Sequence, residues 1–145
     1  MLIVLEGCDG VGKTTIANQL KSILDAEIVH CTRETTNDFD FFSGLIDASK
    51  YRNIIADRFC YGQFVYQKPN ERALTKQDLE KLETHMLSVG AKVIHVTASV
   101  EEIKNRLKLR GDTDWLHADE ICSKYLELFE TTLIHPEVWW TGGHD

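Results

Sequence analysis

Several things are scarce in this sequence, and each scarcity removes a class of protein. Two prolines in 145 residues, with no Gly-, Ser- or Pro-rich stretch, leave no sign of a linker between domains. The four cysteines, Cys8, Cys31, Cys60 and Cys122, contain no CxxC pair. That spacing fits neither a zinc site nor a disulfide framework, so free thiols in a reducing, cytoplasmic setting are expected. No two of the six histidines stand in an HxxxH spacing, which argues against a histidine metal cage. Apolar runs reach only four or five residues, far short of a membrane span. Met1 leads straight into one such run without the basic start of a signal peptide, so no membrane partner is expected. An excess of basic charge is also missing. The net charge is −7, and Lys and Arg are scattered except between Lys104 and Arg110, which argues against a nucleic-acid partner.

What is present is an ordinary globular composition, 43% hydrophobic and 27% charged, of a length that suits one domain over 1–145. The run LIVL at 2–5 reads as a buried parallel strand. From Thr14 the period becomes helical, with Ile16, Leu20, Ile23 and Leu24 on one face. EIVHC (27–31), NIIAD (53–57) and KVIHVTA (92–98) are further strands, and VWWT near the end is a short fifth. Between them the pattern predicts helices at 39–50, from Cys60 to Gln67, and from Thr75 to Gly90. Two more follow, from Ser99 to Gly111 and over about 115–133. Thr75 with Asp78, and Ser99 with Glu102, have capping-box spacing. Strands alternating with helices predict an α/β fold with a parallel sheet.

Gly7-Cys8-Asp9-Gly10-Val11-Gly12-Lys13-Thr14 fits the phosphate-loop pattern GxxxxGK[ST] without a mismatch. Glycines let backbone N–H groups converge on phosphate oxygens, and the helix that follows adds its positive end. In such a loop the lysine reaches the β- and γ-phosphates and the Thr14 hydroxyl holds Mg²⁺. The strand before and the amphipathic helix after make a chance glycine-rich turn a poor explanation.

The wider stretch Glu6 to Thr15, EGCDGVGKTT, resembles the EGxDGxGKTT loop of thymidylate kinases. Thr32-Arg33-Glu34 resembles the start of that family's TREP segment, and Asp57-Arg58-Phe59 its DRY motif. Tyr66-Gln67 matches the YQ that follows, and Arg106 to Asp112 resembles its RxxxRGD lid. The resemblance covers residues 2 to about 130. It implies a three-layer α/β/α P-loop fold with about five parallel strands in the order 2-3-1-4-5. It also implies transfer of the γ-phosphoryl of ATP, with Mg²⁺, to a deoxynucleoside monophosphate in nucleotide biosynthesis. On this reading Gly7 to Thr15 cradle the ATP phosphates, and Lys13, Asp9, Arg58, Arg110 and Arg106 are the catalytic set. Asp9, Arg33, Arg58, Tyr66 and Phe42 hold the acceptor, and Thr14 and Asp57 serve the metal. Gly10 stands where some members carry a catalytic arginine, so the lid at about 104–114 would have to supply that charge.

The bland alternatives stay open beside these roles. Arg106 and Arg110 also look like a solvated helix face, Arg33 like a surface residue, and Tyr66 and Phe42 like packing. The resemblance has a gap as well. Lys13 and Asp57 are 44 positions apart, short of the family's interval, which reduces the acceptor region to about 32–52. No FAADR-like segment is found, and a homodimer partner could complete the site. Two other functions therefore compete: a kinase acting on a hydroxyl of a nucleoside or modified base, and a nucleotide-binding protein without turnover.

Overall fold

The computed structural model describes residues 1–32 and 37–142. Five strands form one parallel sheet: β1 (Leu2–Glu6), β2 (Glu27–His30), β3 (Ile54–Asp57), β4 (Lys92–Thr97) and β5 (Glu137–Trp140). Their order across the sheet is β2-β3-β1-β4-β5, as the family resemblance implies. Side chains alternate across it as the two-residue period of a strand requires. Leu2 and Val4 join Ile54, Ala56 and Val93 on one face, while Ile3 and Leu5 join Ile55, Ile94 and Val96 on the other.

Helices cover both faces. α1 (Lys13–Leu24) and α5 (Val100–Leu109) pack on the second face through Ala17, Ile103 and Leu107. On the first face lie α2 (Phe39–Ala48), α3 (Tyr61–Tyr66), α4 (Lys76–Ser88) and α6 (Ala118–Thr131). The chain therefore reverses its crossover direction beside β1. In parallel sheets that is where a crevice opens at the carboxyl ends of the strands.

Two local expectations change. The helix expected over 115–133 is divided into a 3₁₀ turn at Asp114–His117 and α6. The Asp112 carboxylate accepts the Asp114 N–H at 2.9 Å and so starts a separate, tighter turn. Thr75 and Asp78 form a full capping box, whereas Ser99 and Glu102 form only half of one. Ser99 Oγ accepts the Glu102 N–H, but the Glu102 carboxylate turns to Arg106 Nε at 3.1 Å, and the Ser99 N–H donates to the Gly142 carbonyl instead.

Candidate active site

β1 ends in the phosphate loop, residues 7–12, and α1 begins at Lys13. Two of the loop's glycines sit where neighbours approach closely. A Cβ on Gly7 would lie 2.2 Å from the Val96 carbonyl oxygen of β4. Gly10 has φ +86°, and a Cβ there would press within 3.1 Å of Leu107 on α5. Any side chain at position 10 would be strained by that backbone conformation and would have to displace the Leu107 side chain.

Lys13 is 7% exposed, and its ammonium donates to the carbonyls of Gly7 and Cys8, 2.9 Å from each. Burial, and then the nearby Arg58 charge, push its pKa below the ordinary lysine value. Thr14 and Thr15 are exposed beside it at the start of α1. All of these line a cleft of about 990 Å³ that also takes in Asp9, His30, Asp57, Arg58, Arg106, Arg110 and Thr141.

The other wall of the cleft is the end of β3. Asp57 closes that strand, and its carboxylate lies 3.1 Å from His30 Nδ1 at the end of β2. Arg58 then takes a positive φ of +65°, a conformation that a residue with a side chain adopts at some cost. That turn aims its guanidinium over the Tyr66 ring, 4.9 Å from the centroid, and into an ion pair with Asp9. Arg58 Nε is buried without a hydrogen-bond partner among the described residues.

The two arginines of α5 differ. Arg106 is committed to the protein. It donates to the Gly10 carbonyl (3.1 Å), to Thr141 Oγ1 (3.0 Å), to the Thr141 carbonyl (2.9 Å) and to Glu102. Thr141 Oγ1 donates in turn to the Val11 carbonyl at 2.7 Å. Arg110 is 56% exposed and pairs with the Asp112 carboxylate at 3.1 Å. Phe42, expected at the acceptor site, is 1% exposed, lies edge-on to Phe59 at 4.9 Å and is not among the residues lining the cleft. Arg33 lies outside the described residues. The structure thus brings Asp9, Lys13, Thr14, Asp57, Arg58, Arg106 and Arg110 to one cleft. Tyr66 lines a smaller adjoining cavity with Asp9.

No family model matches the chain. It is 32% identical over 151 residues to the SPbeta prophage-derived uncharacterized protein YorR of Bacillus subtilis, a match covering 97% of this chain and 89% of YorR. A probable thymidylate kinase of Thermoplasma volcanium is 38% identical over 73 residues, 49% of this chain and 38% of that protein. The crystal structure of YorR in complex with phosphorylated GDP superposes with a TM-score of 0.85 at 30% identity, over 97% of this chain and 86% of YorR. Deoxyadenosine kinase of M. mycoides with bound dCTP shares the fold at a TM-score of 0.58 and 18% identity, over 98% and 90% of the two chains. Thymidylate kinase of Candida albicans shares it at 0.53 and 16%, over 99% and 84%. The chain belongs to the family of YorR, and it shares the fold of the P-loop nucleotide kinases.

Three residues of this chain that shape the cleft are not singled out by the sequence. Glu6, the last residue of β1, is fully buried. Its Oε2 accepts the N–H groups of Phe59 (2.9 Å) and Gly62 (3.2 Å), and Oε1 accepts the Tyr125 hydroxyl (2.9 Å). One carboxylate thereby anchors the turn that carries Arg58 to both β1 and α6. Burial raises its pKa to about 7, against the pull of those hydrogen bonds. In the sequence Glu6 stands at the head of EGCDGVGKTT and at the end of an apolar strand, LIVLE, and neither names its partners. His30 and Thr141 are no better marked, because their partners Asp57 and Arg106 are remote in the chain. Among the described residues, no group of three or more His, Cys, Asp or Glu could hold a metal ion by itself, and no helix is long and apolar enough to cross a membrane.

Proposed function

We propose that this P-loop kinase transfers the γ-phosphoryl of ATP to the phosphate of a deoxynucleoside monophosphate. The observation that carries the reading is Arg58. It is an always-charged, planar donor held at a strand end by a strained turn, with a buried Nε that has no hydrogen-bond partner among the described residues. An incoming phosphate would satisfy that donor and draw the guanidinium from Asp9. Asp9 lines the same cleft and would accept from the acceptor's sugar. A buried N–H left unpaired costs about 1–3 kcal/mol, so an acceptor with a phosphate at this point gains what one without it loses.

On the donor side, Lys13 would exchange the carbonyls of Gly7 and Cys8 for β- and γ-phosphate oxygens, with the loop N–H groups and the start of α1 around them. Thr14 and Asp57 offer a hydroxyl and a carboxylate, hard oxygen donors that suit Mg²⁺ when nucleotide phosphates supply other ligands. Mg²⁺ would there neutralise charge on the transferring group. Arg110 is the arginine able to leave its surface pair and meet that charge, as part of a lid over about 104–114. Arg106 would position the loop.

A second reading is supported by the burial of Phe42, which removes one wall expected for a base. In that reading the acceptor is a nucleoside hydroxyl and Asp9 takes its proton. A panel of monophosphates and nucleosides with Mg-ATP, read by coupled ADP release, separates the two. GTP belongs in the same panel as a donor, because YorR was crystallised with phosphorylated GDP. Turnover with at least one deoxynucleoside monophosphate is expected. Turnover with nucleosides alone would replace the leading reading by the second, and release with neither would refute both.

A further inference from the structure

Cys8 and Cys122 come from opposite ends of the sequence and meet in the fold. Cys8 is the second residue of the phosphate loop, Cys122 lies in the second turn of α6, and their sulfurs are 3.9 Å apart, joined by an S–H···S contact. A disulfide bond is about 2.05 Å long, so roughly 2 Å of approach would join them. Room for that movement exists. Cys8 lines a cavity of about 160 Å³ together with Tyr66, Leu107, Ala118 and Ile121, between the loop, α5 and α6.

The two thiols also differ in the way that thiol–disulfide exchange requires. Cys122 is partly exposed, whereas Cys8 is 5% exposed. The sulfur–sulfur contact with Cys8 lowers the pKa of Cys122 against the effect of burial. Cys8 is held as the thiol by that same contact and by burial. Cys31 and Cys60 are deeply buried, and burial pushes the Cys31 thiol up to about 12 and the Cys60 thiol well above its ordinary value. They act as internal controls.

We propose that Cys8 and Cys122 are a modification site: they form a reversible disulfide that ties the phosphate loop to α6 and weakens nucleotide binding. The oxidant is a low-molecular-weight disulfide. The Cys122 thiolate attacks one of its sulfurs, forming a mixed disulfide and expelling one small thiolate. Cys8 then loses its proton and attacks Cys122 Sγ, expelling the second small thiolate. Two protein thiols and one small disulfide become one protein disulfide and two small thiols. The consequence follows from where Cys8 sits. Its carbonyl and that of the adjacent Gly7 are the two that hold Lys13, so drawing the Cys8 side chain towards α6 distorts the cradle.

The effect on binding rests on the phosphate-loop reading; the bond itself does not. The test treats the full chain with glutathione disulfide, maps its peptides without reductant, and titrates Mg-ATP into the reduced, oxidised and re-reduced protein by calorimetry. The expected result is a Cys8–Cys122 peptide, roughly tenfold or more weaker binding in the oxidised form, and recovery on reduction. Cys122→Ser should form no such peptide and should bind alike before and after oxidant, with Cys122→Ala as the alternative if the serine variant does not fold. Thiols that stay free, a cross-link between any other pair, or unchanged binding in a fully cross-linked protein would each overturn the proposal. If the reduced protein binds no nucleotide, the phosphate-loop reading and the inhibitory effect fail together, while the peptide map still decides whether the bond forms.

Discussion

The two walls of the cleft are held in different ways. On the donor side the loop is tied by its own backbone and by neighbours on several elements. Lys13 folds back on Gly7 and Cys8, Arg106 grips the Gly10 carbonyl, and Thr141 grips that of Val11. On the acceptor side, the Arg58 turn hangs on the Leu5 carbonyl and on one buried carboxylate, Glu6, which reaches Phe59, Gly62 and Tyr125. Phe42 has withdrawn into the core. A redundantly tied wall should keep its shape when one tie is removed and lose function only with a group that meets the phosphates. A wall held by one hub should lose function when the hub is disturbed.

The largest effect that would break this contrast is expected at Lys13. Lys13→Ala should lower turnover at least about 10³-fold, because the transferred charge loses its buried cation. It should also weaken Mg-ATP binding measured by calorimetry. Arg58→Ala should cost roughly 10²–10³ in kcat/KM for the acceptor while Mg-ATP affinity stays within a few-fold. Equal loss of donor and acceptor binding in this variant would erase the distinction between the walls.

Glu6 and His95 provide a third prediction, in stability against pH. Burial raises Glu6 from 4.5 to about 7, so native Glu6 keeps a proton that the unfolded chain releases. Its contribution is complete below pH 4.5 and is lost as the pH rises towards 7, an effect of about 3 kcal/mol. His95 is packed against Tyr125 and Phe129, and burial, then the Lys13 charge, lowers it from 6.5 to about 4. Its contribution is complete above pH 6.5 and is lost as the pH falls towards 4, by a similar amount of about 3 kcal/mol. The two slopes oppose each other, so urea unfolding of the unaltered protein should be nearly flat between pH 4.5 and 6.5. Glu6→Gln should unmask stability that rises with pH, and His95→Gln stability that falls. Variants as flat as the parent would contradict the hub.

The smallest effect separates the two arginines of α5. Arg106→Ala should lower stability by about 1–3 kcal/mol, because the Gly10 carbonyl and Thr141 lose their common donor. Arg110→Ala should leave the melting temperature unchanged and lower kcat alone.

How much of this was legible in the sequence depends on the reach of each interaction. The phosphate loop was readable because its glycines, lysine and threonine act over eight consecutive residues, 7–14. The sheet was readable because buried parallel strands leave short apolar runs between helical periods. Glu6 was not, because its hydroxyl partner Tyr125 is 119 residues away. Arg106 and Arg110 share one helical spacing, and only the remote Gly10 and Thr141 tell them apart. Phe42 carried only the signal of an aromatic side chain, which does not distinguish a core from a base platform. The boundary of α6 depended on one carboxylate, Asp112, capping a turn inside a stretch with continuous helical period.

The most direct measurement of the central claim follows the phosphoryl group itself. ATP labelled in its γ-phosphate is turned over with an accepted deoxynucleotide, and the product is resolved by phosphorus NMR. The account predicts label in the β-phosphate of a deoxynucleoside diphosphate. Label on a sugar or base hydroxyl, or only in inorganic phosphate, would contradict it.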